Sequence, residues 1–254
     1  MTESLAILFV ALAGGLLPLL VKWSDRLLHA ALALSTGIFL GAVFLHLLPA
    51  LSAFEVGAHP ATDAAGGHGH AHGHSLVWIC VLIGVLAVYF IEALVFRTHD
   101  HDDLHRHRAV GYAALTGLSI HAFTAGMSFP LVTGANASLE VPFLVALLAH
   151  KGFEAFSLTT VFLLAEFSRR RIVTLMVLFA FVTPAGMLLG AALAERLGPH
   201  AEAIVTALAA GTFLYVCLCE LLPEVFHHRE DGFAKIGLLA GGIGLMALFH
   251  GAGA

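Results

Sequence analysis

Charge is what this chain has least of. Lys and Arg number 12 and Asp and Glu 17 among 254 residues, 11% in all, while 59% of the residues are hydrophobic. A soluble domain carries about 25% charged residues, and no water-exposed fold of this length could hide so much apolar side chain. Cysteine is nearly missing too. Cys80, Cys217 and Cys219 all lie in apolar runs, and Cys217 and Cys219 would point to different faces of a helix, so they read as packing rather than as a chelating pair. Nothing calls for an oxidising compartment. No His-Glu-x-x-His pattern occurs, which sets aside a membrane metalloprotease, and the chain reads as a non-enzyme. The start Met1-Thr2-Glu3-Ser4 lacks the basic residues of a secretory leader, so the first apolar stretch is expected to remain as a span. With a net charge of -5, no nucleic-acid partner is expected.

What is present in quantity is apolar sequence in long runs. A helix needs about 20 apolar residues to cross the hydrocarbon layer. Eight segments meet or approach that length: Leu5–Val21, Leu28–Leu51, Leu76–Phe96, Gly111–Leu131, Val141–Phe167, Ile172–Leu193, Ala201–Leu222 and Ala234–His250. The expected fold is therefore all-α, a polytopic membrane protein with eight transmembrane helices forming one domain over residues 1–254, and the lipid bilayer is its first partner. Lys and Arg gather in cytoplasmic loops. Lys22, Arg26, Arg97, Arg106, Arg108, Arg169, Arg170, Arg171, Arg229 and Lys235 all follow odd-numbered spans, whereas the opposite loops hold only Arg196. Both termini are expected outside the cytosol, in the plasma (inner) membrane.

Two stretches are rich in histidine: an outer loop, 52–75, with His59, His68, His70, His72 and His74, and a cytoplasmic loop, 97–110, with His99, His101, His105 and His107. Neutral imidazole is a favoured ligand for zinc, nickel and copper, and glycine-spaced repeats make flexible arms suited to capture and release. Plain solvated linkers are the alternative. Glu55, Asp63 and Glu140 in outer loops would raise the local cation concentration.

Inside the spans the ionisable residues are few: His46, Glu92, His121, His150, Lys151, Glu154 and Glu220, with Glu166 and Glu224 nearer span ends. Each costs about 2.5–3.5 kcal/mol at that depth on insertion scales, so by default such groups mark an ion or proton path. His150 and Glu154 are four apart and share one helix face. His121 sits at comparable depth in the fourth span. Singly, each histidine is better explained by a core hydrogen bond than by a metal. Together they make a candidate metal shell, because an unneutralised Glu154 in hydrocarbon needs a partner. Lys151, three positions from Glu154, could be that partner without any metal. His46 at the end of span two reads equally as an entrance group or as a helix-end hydrogen bond. Glu220 and Glu224 read as part of an exit.

The motifs around these residues are more specific than any one of them. Span two ends in His46-Leu-Leu-Pro49, span four has His121-Ala-Phe-Thr-Ala125-Gly126, and span five has His150-Lys151-Gly-Phe-Glu154-Ala-Phe-Ser157-Leu158. Span six has Thr183-Pro184-Ala-Gly186, and span seven has Gly211-Thr-Phe-Leu-Tyr215 leading to Glu220-Leu-Leu-Pro223-Glu224. In order and placement this set resembles the ZIP (Zrt/Irt-like) family of divalent metal transporters over nearly the whole chain. The resemblance implies metal import toward the cytosol, a site between spans four and five with His121, His150 and Glu154 as ligands, inverted repeats, and a homodimer. The family's span-four acid falls on Ala125, so the shell must be filled by water, a counter-ion, His46 or Glu220. Where some members place a second metal, this chain has Ala122 and Lys151, and an ammonium there argues for one metal per pathway.

Two imidazoles and one carboxylate suit Zn(II) as transported substrate, with other divalent metals open, while Mg(II) would lose too much hydration. No catalytic cofactor is expected. Protonation of the imidazoles competes with metal, so transport is expected to weaken in acid. Two other readings use the same residues: a membrane b-type cytochrome with His121 and His150 as axial haem ligands, and a metal exporter.

Overall fold

A computed structural model of the chain describes residues 2–49, 51–52, 73–95, 103–135, 137–194, 196, 201–226 and 231–252, and among these there are helices and turns but no strand. Eight helical segments follow in order. Helix α1 is Thr2–Leu16, tightening into a 3-10 turn at Leu17–Leu20. Helix α2 is Asp25–Ala42 and continues as a π-helix, Val43–Leu47. Then come α3, Gly73–Val95; α4, Asp103–Ala135; α5, Glu140–Leu164; and α6, Arg169–Leu193. Helix α7 runs Ala201–Tyr215, widens to a π-helix at Val216–Leu221 and ends in Leu222–Phe226, and α8 is Gly232–Ala252.

Seven of these are long and apolar enough to cross a membrane, and the eighth carries the apolar stretch Gly232–Leu248. The chain is an all-α polytopic membrane protein. Most of the expected outer His-rich loop and residues 97–102 of the inner one lie outside the described residues. From Asp103 onward, however, the expected inner loop is the first part of α4. That helix has 33 residues, about 50 Å at 1.5 Å per residue, so it outreaches the roughly 30 Å hydrocarbon layer. Hydropathy located its apolar middle and could not register a polar overhang.

Local sequence sets the ends. Ser24 and Ser168 are extended residues whose hydroxyls accept the backbone N–H of Leu27 and Arg171, each at 3.4 Å, and so start α2 and α6. The turn after α5 places Glu166 at a φ of 54°, and the one before α8 places Asp231 at 57°. The indole N–H of Trp23 donates to the Pro18 carbonyl at 2.6 Å and closes the α1–α2 corner. Both π-helices have one sequence cause: a proline follows, at Pro49 and at Pro223, with no N–H to give and a ring that crowds the carbonyl four residues back. The ladder widens instead. Leu48 N–H bonds Val43 O and Leu222 N–H bonds Cys217 O, each five residues back.

Helix α1 packs on α5 and α6, α4 packs on α5 and α6, α2 packs on α8, α3 packs on α7, and contacts of α4 with α7 and of α2 with α5 join the two sets. This pattern survives exchange of α1 with α6, α2 with α7, α3 with α8 and α4 with α5. Sequence carries the same repeat: Gly37-Ile-Phe-Leu and His46-Leu-Leu-Pro49 in α2 match Gly211-Thr-Phe-Leu and Glu220-Leu-Leu-Pro223 in α7 at equal spacing. The two glycines do the same work. A Cβ on Gly37 would strike the Leu239 carbonyl of α8, and one on Gly211 would strike the Val81 carbonyl of α3. Hydrogen in place of a side chain is what lets these backbones touch.

Candidate metal centre

The i, i+4 spacing in α5 does what helix geometry requires, turning His150 and Glu154 to one side with Nε2 and Oε1 3.8 Å apart. From α4, His121 brings its Nε2 to 3.1 Å from the same Oε1. Among the described residues these three form a group whose ligand atoms all lie within 4.8 Å of one another. Two donors each about 2.1 Å from a tetrahedral ion are about 3.4 Å apart, and the two separations bracket that value. Glu154 and His121 are buried, and the His150 side chain keeps 15% exposure. The centre is closed on one side and reachable on the other.

The orientation of His121 is set from α7. Its Nδ1 lies 2.9 Å from the Ala209 carbonyl. A carbonyl can only accept, so the proton is assigned to Nδ1, and in the neutral ring Nε2 carries a lone pair. That lone pair faces Glu154 Oε1. Close as they are, the two atoms lack hydrogen-bond geometry, and neither has another hydrogen-bond partner. A proton or a metal ion between these two buried atoms would satisfy both. Phe213 of α7 stacks on the His121 ring, centroids 4.1 Å apart at 15°, and fixes its plane.

Charge is balanced from within α5. Lys151 Nζ donates to Glu154 Oε2 at 3.0 Å, with both side chains 1% exposed. The ammonium also lies 3.9 Å from the ring centroid of Phe179 in α6. A lone carboxylate here would be very costly, and the pair removes most of that cost.

The other candidates fall elsewhere. Glu220 is buried in the π-helix of α7 beside Glu92 of α3 and outside the three-residue group, and its Oε1 has no hydrogen-bond partner. Glu92 in turn accepts the hydroxyl of Tyr215. Glu92 thus makes a tyrosine contact between α3 and α7. His46 lies in the π-helix of α2, and its side chain is outside those described. Ala125, where an acid was expected by resemblance, is packed among Ile7, Phe129, Leu147 and Met187. Hydrocarbon fills that slot, so the fourth ligand does not come from it. A carboxylate set toward both imidazoles also takes the place an iron would need, which argues against haem. Cys80 and Cys217 are buried, as packing residues should be, and Cys219 is exposed.

Three contributors had no role in the sequence reading: the Ala209 carbonyl, Phe213 and Phe179. Only Phe213 left a trace, inside the Gly211-Thr-Phe-Leu-Tyr215 motif.

The description ZIP Zinc transporter fits residues 2–101 and 96–250 of the chain. The chain is 28% identical to zinc transporter ZIP9-B of Xenopus laevis over 92% of its own length and 89% of that protein. It is 27% identical to zinc transporter ZIP2 of Homo sapiens over 95% of its length and 94% of that protein. Over a shorter stretch, 51% of this chain and 40% of the relative, it is 36% identical to zinc transporter ZIP1 of Homo sapiens.

Proposed function

The chain belongs to the ZIP zinc transporter family, and from that premise we propose that it carries divalent metal, zinc first, toward the cytosol through a centre made by His121, His150 and Glu154 between α4 and α5. The observation that carries this reading is the buried approach of His121 Nε2 to Glu154 Oε1, 3.1 Å apart, with Nδ1 already engaged by the Ala209 carbonyl. A divalent ion fits there and makes a ligand bond to each atom. His150 adds a third donor from the partly open side, where an ion can arrive with some of its water and complete a tetrahedral shell.

The placement of Lys and Arg sets the loops after odd-numbered spans in the cytosol and both termini outside, while the direction of transport, toward the cytosol, rests on the family resemblance. On the same reading the protein sits in the plasma (inner) membrane as a homodimer. Other divalent ions of similar softness compete for the same donors.

Accumulation of radiolabelled zinc by cells expressing the protein tests both parts. His150→Ala and Glu154→Ala are expected to lose uptake while reaching the membrane in normal amount. Undiminished uptake by either variant defeats the site, and net efflux from preloaded cells defeats the direction.

A further inference from the structure

The two oxygens of Glu154 have separate partners. Oε1 is turned to the imidazoles of His121 and His150, at 3.1 and 3.8 Å. Oε2 accepts from Lys151 at 3.0 Å. We propose that Lys151 is a specificity-determining residue, a tethered cation that keeps Oε2 for itself and leaves an arriving metal ion one carboxylate oxygen and two imidazole nitrogens. This rests on the metal centre proposed above.

The tether makes this occupancy lasting. Lys151 lies three residues from Glu154 on the same helix, so the pair forms without any element having to close. The ammonium is held from the other side by the face of Phe179 at 3.9 Å. Lysine is almost never fully buried unless paired, and here the whole side chain is 1% exposed. The metal position and the ammonium position therefore lie on different oxygens of one carboxylate, and neither cation has to leave for the other to bind.

Two consequences follow from the donor set. An ion that needs six or more oxygens, or a carboxylate gripping with both of its oxygens, finds neither, so oxygen-seeking Mn(II) and Mg(II) are refused while Zn(II) is accepted at low coordination number. The charge of the site matters equally. Lys151 and Glu154 cancel before the ion arrives, so a divalent ion enters a neutral site rather than a negative one, is held loosely and leaves quickly. Lys151 thus exchanges affinity for turnover.

The test compares zinc and manganese uptake by the full chain in proteoliposomes, as wild type, Lys151→Met and Lys151→Arg. With Lys151→Met, the half-saturating zinc concentration and the maximal zinc rate should both fall, and the manganese-to-zinc uptake ratio should rise about tenfold, the scale of one added charged ligand. With Lys151→Arg, which keeps the charge, the wild-type ratio should persist. A wild-type ratio and half-saturation in Lys151→Met would overturn the proposal.

A merely structural lysine would alter the amount of folded protein and leave the ratio alone. Should Lys151→Met not fold, X-ray absorption on the zinc-loaded wild type decides: one carboxylate oxygen at bonding distance supports the proposal, and a carboxylate bound through both oxygens refutes it. If His121→Ala and Glu154→Ala retain wild-type uptake, the centre itself is wrong. If they lose uptake while Lys151→Met keeps the wild-type ratio, only the role of Lys151 fails.

Discussion

Helices α4 and α5 carry the same two landmarks at the same spacing, a histidine and, seven residues later, a serine: His121 and Ser128 in one, His150 and Ser157 in the other. Four residues past the histidine they part, with Ala125 in α4 and Glu154 in α5. The acid has become the hub of the centre, near both imidazoles and Lys151. The alanine has joined an apolar cluster. Two related helices can thus share one carboxylate, because a histidine from each lies close to the same oxygen. A second carboxylate would have required a second neutralising partner in a region that offers only hydrocarbon.

The largest effect expected from breaking this asymmetry is loss of the hub. Removing a residue that merely supports a metal ligand typically costs 10–100-fold in affinity or activity; Glu154→Ala should cost at least that upper figure in zinc uptake, and an uptake loss below about tenfold would show that α5 is not special. Next come the histidines. His121→Ala should reduce uptake more than His150→Ala, since His121 is buried, stacked and hydrogen-bonded while His150 is partly exposed. The reverse order in parallel uptake curves would place the principal nitrogen ligand on α5.

Restoring the missing acid sharpens the contrast. Ala125→Glu would set an unneutralised carboxylate in that apolar cluster and should lower the amount of folded protein without tightening zinc. A half-saturating zinc concentration lowered by about tenfold would instead mean that this position faces the centre. The smallest effect concerns packing. Gly126 of α4 lies against the Thr183 carbonyl, whereas a Cβ on Gly152 of α5 would meet only Val10 Cγ1, at 3.3 Å. Gly126→Ala should destabilise the protein by roughly 1–3 kcal/mol, an overpacking cost. Gly152→Ala should cost well under that, and thermal unfolding in detergent ranks the two.

The spans were legible because hydrocarbon demands long apolar runs, and the pairing of His150 with Glu154 was legible because helix geometry fixes what four residues of separation mean. The approach of His121 needed a tertiary contact, for which comparable depth in the next span was the available cue. What sequence could not carry was the Ala209 carbonyl, since every residue has one. Nor could it carry the overhang of α4, whose Asp103–Arg108 turn is polar and so invisible to hydropathy. Glu220 reads in sequence as a buried acid in a specific motif, and the structure places it outside the three-residue group. Its neighbour Glu92 lies on another helix, and two acids far apart in sequence give no sign that they meet.

The backbone bond from His121 to Ala209 joins a ligand to a helix that supplies none of the three ligand atoms. Its length of 2.9 Å leaves no slack: one residue's rise of about 1.5 Å between α4 and α7 is enough to sever it. An imidazole cut loose in this way is free to turn. On the proposed centre, the register of α4 against α7 therefore bears on how His121 is presented to an ion, through a single peptide group.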